Sequence, residues 1–319
     1  MPCAHPGRIA EATAHPVLTW THAMSRYHLT AASLVHGADP VRLTPERAGW
    51  RYAGLDVIRL EPGGERVVDT TGRELLVLPL SGGASVSVDG ATFELHGRED
   101  VFAAPSDFVY VPVGAEVVVR SAGGGEFALP WARAEARHPA VRVAAEQIPV
   151  SVRGAGRATR LIRDTFIEGG PPAHRLAVVE VLTPPGNWSS YPPHKHDDPN
   201  DPAEDVLEEI YWFRIAGENG WGIHRTYTAD GEIDETVIVR DGDAFLVPRG
   251  YHGPCIAAPE FPMYYLNVLA GPDGARTLAY SDDPAFHWIR ESWNDQQPDP
   301  RATRPLRPIV PRMAGKEDG

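Results

Sequence analysis

Apolar residues fall along this chain in short runs split by polar and turn-forming residues. The runs are LDVIRL (55–60), ELLVLPL (74–80), ASVSVDG (84–90), FVYVPV (108–113), LAVVEVL (176–182), EIYWF (209–213), ETVIVRDGDAFLVP (235–248) and MYYLNVL (263–269). They are rich in β-branched and aromatic residues and of strand length. Several are divided by Asp-Gly or Gly-Gly, pairs that favour tight hairpin turns. Helical periodicity is scarce; AGWRYAGL and DDPAFHWIRESW are the only segments that suggest short helices. The pattern predicts an all-β chain.

Spacing predicts a duplication. Glu74 opens ELLVLPLSGG, Gly82 lies eight residues on, and Pro112-Val113-Gly114 begins 38 residues after Glu74. Glu209 opens EIYWFRIAG, Gly217 again lies eight on, and Pro248-Arg249-Gly250 begins 39 residues after Glu209. Four features in the same order imply two tandem β modules, 24–150 and 151–293. Residues 1–23 are polar and aperiodic and read as an extension. Residues 294–319 form a proline-rich tail, mobile or draped.

Composition narrows the function classes. Gly and Pro number 31 each among 319 residues, well above average usage of about 12%, which is the punctuation of a β protein. A hydrophobic content of 42% excludes full disorder. No stretch approaches the roughly 18 apolar residues of a membrane span. The net charge of −13 argues against a nucleic-acid binder. Two cysteines, Cys3 and Cys255, exclude a disulfide framework and suit a reducing cytoplasm. No apolar leader core is visible in the first residues.

Candidate chemistry sits in YPPHKHDDPNDPAEDVLEEIYWF. His194 and His196 are two apart, so on a strand both imidazoles face one way. Glu209 heads an apolar strand, and His252 follows in PRGYHGPC. Three imidazoles and one carboxylate suit a divalent transition metal with positions left open. The first half has no histidine between His36 and His96, and Glu116 stands where the repeat would put His252. One metal per chain, in the second half only, is therefore expected.

His-x-His, Glu, Pro-x-Gly and a final His resemble the two motifs of the cupin superfamily. More specifically, NWSSYPPHKHD, EEIYWF, DGDAFLVPRGYHGPC, YYLNVLAGP and DPAFHWI together resemble the 5-deoxy-glucuronate isomerase family of myo-inositol catabolism. The resemblance runs from about Met24 to Trp293. Gly253 departs from it, standing where the family pattern leads one to expect proline. The resemblance implies two tandem cupin barrels, few helices, a small sugar-acid substrate and a zinc or manganese ion. It implies aldose–ketose isomerisation of 5-deoxy-D-glucuronate to 2-deoxy-5-keto-D-gluconate, in which a proton moves between neighbouring carbons.

That reaction needs a base. Lys195 and Glu208 are the candidates, each beside a ligand and turned from it by strand alternation. Tyr265 and Asn267 share one strand face and are candidates to hydrogen-bond the substrate. Arg225, in IHRTY, is the candidate for a bidentate pair with the substrate carboxylate. Seven acidic residues lie between Asp197 and Glu209; they would repel an anion, so this segment is expected to be a solvated loop. Three other readings remain, the first a related uronate ketol-isomerase. A 3-His-1-Glu dioxygenase would show an iron or copper requirement with oxygen uptake. A non-enzymatic sugar-acid-binding cupin would have no need of converging ligands. The sequence is compatible with a homo-oligomer.

Overall fold

The computed structural model describes residues 25–306, so the 1–23 extension and the end of the tail lie outside the described residues. The chain is all-β, as the pattern predicts. In the second half, a seven-stranded sheet runs in the order His28–Leu29, Ala244–Val247, Glu208–Ile215, Met263–Ala270, Ala177–Thr183, Arg160–Phe166, Val150–Arg153. A second sheet carries Trp221–Tyr227 between Asp234–Arg240 and Tyr251–Ala257. Tyr251–Ala257 also pairs with Trp188–Ser189 and His194–Lys195. Tyr211, Phe213 and Tyr265 of the first sheet and Val239, Cys255 and Ala257 of the second share one apolar core.

The first half is built around the strand Arg73–Val88. Its early residues pair with Phe108–Val111 and Gly125–Arg133, and its late residues with Ala91–Arg98 and Val117–Ser121. ELLVLPL and ASVSVDG are therefore one bent strand, and Gly82-Gly83 is no hairpin. Gly82 has φ +72°, and a Cβ there would lie 2.4 Å from the Gly124 carbonyl, so the bend requires glycine. Asp89-Gly90 does make a hairpin, with both residues at positive φ. Asp241-Gly242 joins strands of different sheets instead. AGWRYAGL is not helical: the helix Pro45–Ala48 stops at left-handed Gly49, and Ala53–Leu60 is a strand. DDPAFHWIRESW yields only the turn of helix Ile289–Ser292 and the start of a 3₁₀ turn, Trp293–Asp295.

The two halves pack through their central strands. Leu76 and Leu78 of the first join Ile210, Trp212, Tyr264 and Leu266 of the second in one core, while Leu75 and Val77 turn into the first module. Both faces are buried, which is why these runs are continuously apolar instead of alternating. The division at residue 150 is not clean, because His28–Leu29 pairs with Ala244–Phe245 of the second half. Beyond 293, Ala302 and Leu306 are buried, and the Gln297 carbonyl accepts from the Gly156 N–H at 2.9 Å.

The register corrects the repeat by one residue. Leu75 pairs with Val111, just before Pro112, and Glu209 pairs with Val247, just before Pro248. Leu75 is thus the counterpart of Glu209, and Glu74 that of Glu208. A one-residue slip changes the face. Leu75 lies in the apolar core of the first module and Glu116 is exposed, so these two positions do not form a counterpart of the Glu209–His252 pair.

Glu74 and Glu208 have a reciprocal role. Glu74 accepts the N–H groups of His174, Arg175 and Leu176 at 2.8, 2.6 and 2.8 Å, and the Tyr110 hydroxyl at 2.7 Å. Glu208 accepts those of Arg51, Tyr52 and Ala53 at 2.7, 2.8 and 2.9 Å. Each carboxylate thus caps the segment leading into the other half's central strand. Glu208→Ala strands three N–H groups at the interface and should lower stability by about 2–4 kcal/mol. Chemical denaturation of both proteins checks this; an unchanged midpoint would show that water replaces the carboxylate.

Candidate active site

His196, Glu209 and His252 converge inside the second module. Among the described residues they form a buried group whose ligating atoms lie within 4.8 Å of one another. Glu209 is brought there by the face of its strand opposite to Glu208. His252 arrives from Tyr251–Ala257, and His194 pairs with it across the ladder. Gly253 makes this approach feasible. It has φ +95°, which proline cannot adopt, and a Cβ would lie 1.8 Å from the Ser190 carbonyl.

The geometry is compatible with a cation. Glu209 Oε2 lies 2.9 Å from His196 Nε2 and 3.0 Å from His252 Nε2. The second contact lacks hydrogen-bond alignment, so His252 Nε2 is a buried nitrogen without a partner, as is His196 Nδ1. His252 Nδ1 faces the Gly250 carbonyl at 3.4 Å, and His194 Nδ1 the Pro192 carbonyl at 3.4 Å. Donation from Nδ1 leaves Nε2 with the lone pair, the tautomer a metal requires. The His194 ring stacks 4.4 Å from His252 and 6.4 Å from His196, outside the tight group but in the same cavity.

Charge is polarised accordingly. Burial opposes ionisation of Glu209, but His252 and His196 outweigh it and hold the carboxyl well below its usual range. Burial likewise opposes charge on His196, and Glu209 outweighs it and raises the pKa. His194 is pushed well down by burial, with His252 and His196 adding to the effect. An ionised carboxylate among unpartnered imidazole nitrogens is a donor set that suits a divalent ion.

The other candidates from the sequence divide. Tyr265 and Asn267 line the cavity with His194, His196 and Glu209. The Asn267 Nδ2 is buried without a partner, and the Tyr265 hydroxyl lies 3.0 Å from Ser190 Oγ, which also meets Tyr211. Arg225 does not reach the cavity: it lies on an outward face, bonded to Asp234 at 3.1 Å and stacked over Tyr227. Lys195 is also outside, with its ammonium 2.7 and 2.9 Å from the two oxygens of Glu204. Burial works against its charge, but Glu204 and Asp197 raise its pKa, which is the opposite of what a base needs. Glu208 is occupied by backbone N–H groups on the other face. The acidic segment Asp197–Asp205 stays out of the cavity, although Glu204 is itself buried by its pairing with Lys195.

Three arginines line the cavity that sequence reasoning missed: Arg153, Arg160 and Arg290, with Tyr280 beside them. Arg153 and Arg160 face each other across the Val150–Arg153 and Arg160–Phe166 pair. Nothing in GRATRLIRD marks one arginine as internal, since strand register alone decides which face it takes.

Fold and site together define a cupin-type protein of two β modules with a candidate metal centre in the second. The chain belongs to the KduI/IolB family, whose model matches residues 29–289. It is 41% identical over 271 residues to the 5-deoxy-glucuronate isomerase of Geobacillus thermodenitrificans, covering 84% of this chain and 97% of that one. It is 35% identical to the Bacillus subtilis 5-deoxy-glucuronate isomerase, covering 78% and 92%. Among solved structures, an IolB-like protein from Salmonella typhimurium superposes with a TM-score of 0.78 at 31% identity, over 83% of this chain and 99% of that chain. The Lactobacillus farciminis oxalate decarboxylase matches at TM-score 0.59 and 11% identity, over 81% and 88%, a likeness of fold alone.

Proposed function

We propose that this protein is a 5-deoxy-glucuronate isomerase, interconverting 5-deoxy-D-glucuronate and 2-deoxy-5-keto-D-gluconate. The observation that carries the reading is the convergence of His196, Glu209 and His252 in one buried group, with His196 and Glu209 lining a cavity, in a chain that spans nearly the whole of its 5-deoxy-glucuronate isomerase relatives. His196, Glu209 and His252, with His194 at the cavity wall, are the residues that would hold a zinc or manganese ion. Such an ion supplies Lewis acidity for the negative charge that gathers on oxygen as a proton moves between C1 and C2.

The chain's own residues do the rest. Glu209 stays ionised and offers its charge to the centre. The free Asn267 amide is placed to donate to a substrate hydroxyl. Burial pushes the Tyr265 phenol above its ordinary range, so it stays protonated beside Ser190 and can donate into the cavity. Leu269, Val179 and Val181 line the same space and exclude water from the reacting carbons.

Purified, metal-analysed protein given 5-deoxy-glucuronate should form the ketose, followed by NMR, with about one divalent ion per chain from the single site. Oxygen uptake without ketose from metal-replete protein would replace this reading with a dioxygenase.

A further inference from the structure

The wall of the cavity carries more positive charge than its fold requires. Arg153 is 3.2 Å from Asp164. Arg290 holds Asp282 with two nitrogens, one at 2.7 Å from Oδ1. Both charges are thereby neutralised. Arg160 has no carboxylate partner among the described residues. It is 7% exposed, its guanidinium makes one hydrogen bond, Nη1 to the Ala158 carbonyl at 3.2 Å, and its Nε is buried and unsatisfied. Trp293 covers it, the ring centroid 5.7 Å from Cζ.

A buried guanidinium without a counter-ion is unfavourable. Here the neighbours worsen it. Burial is the largest influence and lowers its pKa to about 10, and the cations Arg290 and Arg153 also oppose its charge. The phenols of Tyr265 and Tyr280 are the groups facing it that favour the charge. Even so lowered, the group is protonated at neutral pH. Folding therefore keeps an uncompensated cation in the cavity that also holds His194, His196 and Glu209.

We infer that Arg160 anchors the carboxylate of the sugar-acid substrate and makes the site select an acid over the neutral sugar. This rests on the isomerase reading for the identity of the substrate, but not for the binding of an anionic sugar. The guanidinium fork matches a carboxylate, and an ionised acid would satisfy the Nε that the protein leaves bare. Arg160 lines the same cavity as His194, His196 and Glu209, so a six-carbon chain would turn its carbonyl end to that cluster and its carboxylate end to Arg160. Trp293, just after the Ile289–Ser292 helical turn, packs on the guanidinium and helps to hold it in place.

The test uses the full chain as purified, with metal content and melting temperature measured on every variant. Calorimetric titration with D-glucuronate and with D-glucose reads binding without turnover, and kinetics with 5-deoxy-glucuronate and neutral 5-deoxyglucose read specificity. In Arg160→Gln, affinity for the uronate and its kcat/KM should fall roughly 10- to 100-fold, with the neutral sugars changed less than about threefold. Because Arg160 is buried, Arg160→Lys serves beside it; it keeps the charge and should recover part of the uronate preference. Equal losses for acid and neutral sugars in folded, metal-bearing variants would overturn the assignment, as would unchanged uronate binding. If wild type binds glucuronate through Arg160 yet forms no ketose, the anchor stands and the isomerase reading falls.

Discussion

His252→Ala and His196→Ala should each lower isomerase turnover by at least about a thousandfold while the β structure persists. His252 offers a buried, unpartnered Nε2, and His196 Nε2 lies 2.9 Å from Glu209 Oε2 in the same buried group. On the proposed reading, losing either would remove a ligand, weaken metal retention and cost the Lewis acidity the ion would supply, a contribution of several kcal/mol. The fold should survive because the site lies beside an apolar core that includes Tyr211, Phe213 and Tyr265, and nothing in that core depends on an ion. Turnover, bound metal and circular dichroism on each variant decide it. A folded, metal-free variant that isomerises at near wild-type rate would return the chemistry to a base acting alone.

Glu180→Ala is expected to be the most damaging change outside the cavity, at about 3–5 kcal/mol, because it breaks a buried ion pair from one side. Glu180 is fully buried between the halves. It accepts from Arg98 at 2.6 Å and from the Tyr264 hydroxyl at 2.8 Å, with Arg163 3.8 Å away. Removing the carboxylate leaves two buried guanidiniums uncompensated. Burial by itself would raise the Glu180 pKa, but Arg98 and Arg163 outweigh it and hold it below the ordinary 4.5. A depressed folded pKa stabilises the protein above the unfolded value, and that stability is lost as pH falls through the folded one. The gap between wild type and Glu180→Gln in denaturant midpoint should thus be full at neutral pH and shrink as pH drops below 4.5. A gap that stays constant down to acid pH would show that the Glu180 charge does not matter.

The one-residue repeat slip shows how far linear patterning reaches. Spacing to Pro112 and Pro248 made Glu74 look like the partner of Glu209, since both head apolar runs. The ladder shows Glu74 on the face with Glu208, capping the neighbouring half, and Leu75 in the position of Glu209. A count along the chain cannot tell how many residues the connection between two paired strands takes up, and a one-residue slip is enough to turn a side chain from the core to the interface.

For Lys195 the alternation argument turned it from the cluster, but its pairing with Glu204, nine residues on, is a loop contact. Arg225 and Arg160 illustrate the same limit. Each lies on a strand, and only the sheet's packing puts one beside Asp234 in solvent and the other beneath Trp293.

What the sequence by itself determined is the all-β class; it also singled out His196, Glu209 and His252, which the structure brings into one buried group. Short β-branched and aromatic runs, and a His-x-His with a distant Glu and His, are local or spacing signals that survive any detail of packing. The tertiary structure alone decided which carboxylates cap the other half, which arginines line the cavity, and that His194 stands beside the tight group. Those depend on strand register and on which faces two sheets bury against each other. Both are set by long-range pairing, which no window along the chain contains.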